Sequence, residues 1–313
     1  MSLAKRAEIL NVMETLIGSH LKGKDKAVRL SLIALLTGGH ILLEDIPGLG
    51  KTTLALALSS ILGLSFGRIQ CTSDLLPSDI TGLSVFNREE SSFKFIRGPI
   101  FNNIVLVDEV NRAMPKTQSA MLEAMEERRV TVEGVTYPLA EPFLVIATQN
   151  PLEQVGTYPL PESQLDRFTI RTGIGYPPEE LEKEIIAYGS IRDDIRHIEP
   201  VVSAEEILAA RRAVKENIYL SDKVTNYIFS IVAASRVNPL LLSGISTRGG
   251  INLAEAARAN AYLEGREYVV PEDVKEVAVA VCSHRLICRA EQESINKEEL
   301  LSAILGSIPV PLA

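Results

Sequence analysis

A lysine and two threonines behind a pair of glycines, in Pro47-Gly48-Leu49-Gly50-Lys51-Thr52-Thr53, form the part of this chain best suited to chemistry. The run follows the apolar stretch 40–43 and precedes a segment of helical composition. It reads as a strand, a turn and the first turn of a helix. In that order, successive backbone N–H groups and a helix N-terminus converge on one anion. Lys51 then reaches the β- and γ-phosphates of a nucleotide, and the Thr52 hydroxyl ligates Mg²⁺. The phosphate-loop pattern G-x-x-x-x-G-K-[ST] wants glycine at position 45, where this chain has Asp45. Gly48 and Gly50 still supply backbone freedom nearest the phosphates. The plainer alternative is a loop whose glycines only let a helix pack on a strand.

A second group weighs against that alternative. Ile104-Val105-Leu106-Val107 is an unbroken β-prone run that ends in Asp108-Glu109. Such a run suits a parallel strand covered on both faces, and open α/β sheets bind ligands at the carboxyl ends of their strands. Asp108 there would hold Mg²⁺ opposite Thr52. Glu109 could orient and deprotonate an attacking water. Two acids at this point could also cap a following helix. Found together with the glycine loop, they point to nucleotide hydrolysis.

The elements that must position these groups are legible as patterns. Leu3, Ala7, Leu10, Met13, Leu16 and Ile17 have helical spacing over 3–17, and a second helix runs 27–36 to a Gly38-Gly39 stop. Strand 40–44, the loop and helix 52–62 follow, then a strand near 65–70. A hairpin is expected over 83–96, turning at 89–92, and another over 130–139, turning at Glu133-Gly134. Pro115 opens a helix whose Met114, Gln118, Met121, Leu122 and Met125 form a stripe read as core. Strands 143–147 and 168–174 complete the first part. Tyr176-Pro177-Pro178 resists helix and sheet alike and sets the boundary between domains 1–176 and 179–313. Beyond it the chain reads as helices 179–190, 203–215, 221–236, 248–264, 271–284 and 296–305.

Bulk properties exclude some functions. With 313 residues the chain can bury two cores. A net charge of −8, 5% aromatics and no tryptophan argue against a nucleic-acid motor, which needs basic grooves and stacking platforms. No apolar run approaches the roughly 18 to 20 residues of a membrane span. The first residues are charged and amphipathic, unlike a signal peptide. Cys71, Cys282 and Cys288 lack metal-ligand spacing and read as reduced thiols. A cytoplasmic protein is expected.

Taken in order, the segments 39–52, Gly98-Pro99-Ile100-Phe101, Asp108-Glu109-Val110-Asn111-Arg112-Ala113, Pro115-Lys116-Thr117-Gln118, Glu123-Ala124-Met125-Glu126-Glu127, Ala147-Thr148-Gln149-Asn150-Pro151 and 159–168 resemble the MoxR branch of the AAA+ ATPases. The resemblance covers nearly the whole chain and includes Asp45. It implies an α/β core, a five-stranded parallel sheet flanked by helices, followed by an all-helical lid. The two hairpins match the branch's helix-2 insert and pre-sensor insertion, which face a ring's central pore. It implies ATP and Mg²⁺ as ligands and a homo-oligomer, a hexameric ring, acting on a client or co-chaperone protein, often one with a von Willebrand A-type domain. The related alternative is the ATPase subunit of a magnesium-chelatase-like complex. Residue by residue, Asn150 resembles sensor 1, Arg167 the arginine finger that reaches a neighbouring subunit, and Arg248 the sensor 2 arginine of the lid. Arg112 is a weaker candidate for such a trans contact, and backbone around Gly23 would meet the adenine. On residue type alone, Asn150 could instead form an Asx-turn before Pro151. The arginines could instead be solvated or paired with local acids.

Overall fold

The structure is a computed structural model that describes residues 21–153, 155–188, 198–292 and 295–311, with Ile9, Val12, Thr15, Leu16 and Ile195 as isolated positions. The expected helix 3–17 and the last residues of helix 179–190 fall largely outside them. The first part runs α1 (Asp25–Thr37), β1 (Ile41–Glu44), α2 (Lys51–Ile61), β2 (Phe66–Gln70), α3 (Pro77–Thr81), β3 (Gly82–Asn87) and β4 (Ser92–Arg97). It continues with β5 (Ile104–Asp108), α4 (Pro115–Glu127), β6 (Arg129–Val132), β7 (Val135–Pro138), β8 (Leu144–Gln149), α5 (Glu162–Leu165) and β9 (Ile170–Thr172).

Five of these strands form one parallel sheet in the order β2-β5-β8-β1-β9. Alternation along the strands builds two cores. Ile104 and Leu106 of β5 join Ile41, Leu43, Leu144, Ile146 and Ile170 on one face, together with α1 and α2. Val105 and Val107 join Leu42, Val145, Ala147 and Phe168 on the other, against Met121, Leu122 and Met125 of α4. The methionine stripe is therefore core, apart from exposed Met114. The register aligns the polar strand ends, Gln70 beside Asp108 and Glu44 beside Gln149. The chemistry sits on that edge.

Buried His40, at the head of β1, ties the sheet to α4. Its Nδ1 accepts from the Val145 N–H at 3.0 Å, and its Nε2 lies 3.2 Å from the Met125 carbonyl. Those partners place the proton on Nε2. Burial, reinforced by the Arg128 charge, pulls its pKa down to about 3.

Two antiparallel hairpins stand off the sheet, β3–β4 and β6–β7. They touch each other: Phe95 of β4 stacks on Tyr137 of β7 with centroids 4.3 Å apart and planes 19° from parallel. Phe86, Phe93 and Ile96 on the first hairpin are exposed.

No helix or strand covers Tyr176-Pro177-Pro178. The helical region follows: α6 (Glu179–Tyr188), α7 (Ala204–Asn217), α8 (Asp222–Arg236), α9 (Thr247–Leu263), α10 (Pro271–Cys282) and α11 (Lys297–Ser307). Serine side chains cap α7, α8 and α9, Ser203 within a capping box with Glu206. This region is not all-helical. β10 (Leu241–Ser243) and β11 (Ile287–Cys288) pair as a short antiparallel ribbon. Strands of three and two residues are too short to show a period in sequence. The last strand of the sheet is also shorter than 168–174, because buried Phe168 belongs to the turn before it.

Candidate active site

The loop between β1 and α2 turns on two left-handed glycines, Gly48 at φ 92° and Gly50 at φ 95°. A side chain at either would be strained. The backbone thereby runs from Pro47 through Leu49 into Lys51, Thr52 and Thr53 at the start of α2, leaving the first N–H groups of the helix without intrahelical acceptors. Lys51 Nζ donates to the Asp45 carbonyl and, at 3.5 Å, to the Gln149 carbonyl. Burial lowers its pKa, while Asp45, Asp108, Glu109 and Glu44 oppose the shift. Its partners are backbone dipoles rather than a carboxylate, so phosphate oxygens can replace them with a charge-assisted bond.

Asp45 explains the missing glycine. Its carboxylate accepts from the Ile174 N–H and, at 3.3 Å, from the Gly175 N–H. Lys24 Nζ donates to the Gly175 carbonyl at 2.5 Å. The loop is thereby pinned to the chain that leaves the sheet for the helical region. Gly23 closes the same corner, since a Cβ there would fall 2.4 Å from Pro178 Cδ.

Across the sheet edge, Asp108 is buried and accepts from Arg68 Nε at 2.8 Å, with the Thr148 hydroxyl 3.5 Å from its other oxygen. Glu109 follows in a left-handed conformation, φ 55°, rare for a side-chain-bearing residue. Its N–H donates to Thr148 Oγ1 at 2.9 Å. Its carboxylate accepts from Gln70 Nε2 at 3.3 Å and lies 3.4 Å from Arg112 Nε. Arg112 also pairs with Glu153, so in this structure it bridges two carboxylates. Asn150 makes the Asx-turn, Oδ1 accepting from the Leu152 N–H at 3.2 Å. That leaves its amide nitrogen as the group able to donate toward the loop.

The fit to a magnesium nucleotide can be tested on these groups. Gln149, whose carbonyl accepts from Lys51, has a buried Oε1 with no hydrogen-bond partner. The space beside Gly48 holds nothing within 4 Å of a built Cβ. No cluster of three or more His, Cys, Asp or Glu forms among the described residues. Mg²⁺ held by Asp108, Thr52 and the nucleotide's own phosphates needs none. The donor set fits. A cleft of about 890 Å³ lies elsewhere, between α4, the β6–β7 hairpin and Arg167. It carries no glycine loop, so the chemistry and not the volume locates the site.

Arg167 and Arg248 are brought together, away from Lys51. Arg167 Nη2 lies 3.2 Å from one oxygen of Glu126 and Arg248 Nη1 3.2 Å from the other. Arg248 Nε is also 3.8 Å from Asp166. Among the described residues no hydrogen bond or ion pair joins either arginine to Lys51, Asp108 or Glu109. Behind them Arg285, almost fully buried, holds Asp166 at 2.7 Å and the carbonyls of Phe168 and Thr169.

Sequence reading passed over Arg68, Gln70, Thr148 and Glu126. For Arg68 and Gln70 a signal existed: polar residues two apart on an edge strand share a face. Only the strand order shows that the face adjoins Asp108.

With this geometry in view, residues 40–170 match the ATPase family associated with various cellular activities (AAA), and residues 233–304 match the AAA lid domain. Protein MoxR of Paracoccus denitrificans is 30% identical over 319 residues, covering 93% of each chain. Chaperone MoxR1 of Mycobacterium tuberculosis is 37% identical over 300 residues, covering 92% of this chain and 79% of that one. This chain belongs to the MoxR family of AAA ATPases. YeaC of Bacillus subtilis is 46% identical over 93% of this chain and 91% of its own. A solved structure from Cytophaga hutchinsonii, ascribed to an ATPase, superposes with a TM-score of 0.90 at 39% identity, covering 99% of this chain and 97% of that one. No helix among the described residues is long and apolar enough to cross a membrane.

Proposed function

We propose that this MoxR-family ATPase hydrolyses Mg-ATP at the junction between two copies of itself. The cycle would serve to remodel or mature a partner protein, as a chaperone does. One observation carries this reading: the acids and lysine suited to phosphate sit on one edge, while two arginines suited to the same phosphates, half-buried Arg167 and exposed Arg248, sit together elsewhere, on Glu126.

Backbone N–H groups of residues 47–53 cradle the phosphates, and Lys51 exchanges two carbonyls for phosphate oxygens. Asp108 leaves Arg68 to hold Mg²⁺ with Thr52; when bound, the ion neutralises charge on the phosphoryl oxygens. Glu109, fixed between Gln70 and Arg112, takes the proton of the attacking water. Asn150 donates its amide to that water or to the γ-phosphate. Arg167 and Arg248 of the next copy complete the charge around the transferred group, which makes turnover depend on assembly into a ring. Tyr176-Pro177-Pro178 then acts as the joint between core 1–176 and lid 179–313.

Similarity to chaperone MoxR1 supports a protein client. The MoxR resemblance favours a client with a von Willebrand A-type domain. The test uses Glu109→Gln. It is expected to bind ATP as the parent does, to lose turnover by about 10²–10⁴, and to retain a bound client that the parent releases. Parental turnover in assembled Glu109→Gln would remove Glu109 as the base. Stimulation of the parent by single-stranded DNA would overturn the protein client.

A further inference from the structure

A second charged cavity lies where α1 ends. Its volume is about 320 Å³, and its walls come from both parts of the chain. Gly38, Arg128 and Glu141 belong to the sheet part; Arg211, Lys215, Glu255 and Arg258 belong to α7 and α9. Four cations face two carboxylates, which leaves two positive charges uncompensated. None of the six side chains forms an ion pair within 4 Å among the described residues.

Helix capping accounts for part of this cluster. Arg128 donates to the Gly38 carbonyl and, at 2.9 Å, to that of Phe143, and Arg211 Nη2 donates to the Leu35 carbonyl at 3.0 Å. Such donors suit the negative end of α1. Capping does not account for the rest. Arg211 Nε and Arg258 Nε are both buried and have no hydrogen-bond partner. The Arg211 guanidinium lies 3.2 Å from where a Cβ on Gly38 would stand, so a larger residue would crowd it. Burial, then the neighbouring Arg211 charge, pulls Arg128 down to about 10, and burial lowers Arg211 as well. Buried guanidinium donors without acceptors are rare in folded proteins. Like charges held side by side call for an anion between them.

We propose that this cavity binds a phosphate group, free or on a small metabolite, gripped by Arg128, Arg211 and Arg258. A phosphate dianion neutralises the two uncompensated charges, and its oxygens match the planar forks of guanidinium. The volume exceeds that of bare phosphate, which leaves room for a small organic portion. Because Arg128 lies on one part of the chain and Arg211 and Arg258 on the other, the bound anion clamps the helical region to the sheet.

The test is thermal unfolding of the full chain, titrated with sodium phosphate or glycerol 3-phosphate, with chloride holding ionic strength constant. It is run on the parent and on Lys51→Ala, which weakens phosphate binding at the glycine loop. A saturable rise in melting temperature is expected in both, with at least tenfold weaker apparent affinity in Arg258→Gln and Arg211→Gln. Arg258 makes no hydrogen bond or ion pair among the described residues, so its variant keeps the fold even if loss of the Arg211 cap does not. A rise that vanishes in Lys51→Ala would assign the anion to the glycine loop and overturn the site. So would an unchanged affinity in Arg258→Gln. A saturable response to glycerol 3-phosphate but none to phosphate would identify the metabolite form.

Discussion

The loop edge and the arginine face of this ATPase hold their charges differently. At the loop edge Lys51, Asp108 and Glu109 are fixed by backbone carbonyls, Arg68, Gln70, Arg112 and Thr148, and Glu109 even adopts a left-handed backbone to present its carboxylate. At the arginine face Arg167 and Arg248 share one half-exposed carboxylate, Glu126, in contacts of a type worth about 0–1 kcal/mol. Their neighbour Arg285 is locked by buried bonds. The difference teaches which charges are built to stay and which are parked to be released. Of these three arginines, Arg167 and Arg248 are the two that can leave their acid at small cost to meet a phosphate on another copy.

The largest expected effect breaks the arginine face. Arg167→Ala should lower turnover of the assembled protein by about 10³–10⁵ while ATP affinity holds. Rings mixed with Glu109→Gln should regain activity, because each variant supplies the half the other lacks. No recovery in confirmed mixed rings would place both halves in one subunit. Next comes the loop edge: Lys51→Ala should weaken ATP binding by about 10- to 150-fold, the loss of one hydrogen bond to a charged group of about 1.5–3 kcal/mol. Calorimetric titration giving the parental affinity would remove Lys51 from the phosphates. A smaller effect sharpens the contrast. Glu126→Gln frees both arginines, so turnover at low protein concentration should rise by up to about fivefold. A fall would mean that Glu126 aims the arginines instead of holding them back.

A control lies outside both regions. His40 has a folded pKa of about 3 against an ordinary 6.5. Between those values the unfolded chain binds the extra proton, so its contribution is intact above pH 6.5 and declines as pH falls. The slope is about 1.4 kcal/mol per pH unit. Buried His284, also driven well below its usual value, adds the same sign. Urea unfolding from pH 7 to 4 should show a shallower slope in His40→Gln. Equal slopes would refute the buried neutral form.

The loop edge was the more legible region in sequence. Its signals are local: glycines two apart before Lys51, and four β-prone residues before Asp108, fix strand, turn and helix within a dozen positions. What was hidden depends on contacts distant in sequence. Asp45 looked like a defect in a pattern until Ile174 and Gly175, from the far side of β9, were found to donate to its carboxylate. Arg68 meets Asp108 because β2 lies beside β5, and nothing in either segment announces that neighbour. Arg248 and Arg167 were read as separate roles, yet one glutamate on α4 holds both. The β10–β11 ribbon was missed because so few residues carry no rhythm.

The face-to-face rings of Phe95 and Tyr137 give the two hairpins a common yoke. A tug on one tip is shared with its companion until the aromatic contact slips, at about 1 kcal/mol. The pair is a soft clutch, holding the hairpins together under small loads and letting them part under larger ones.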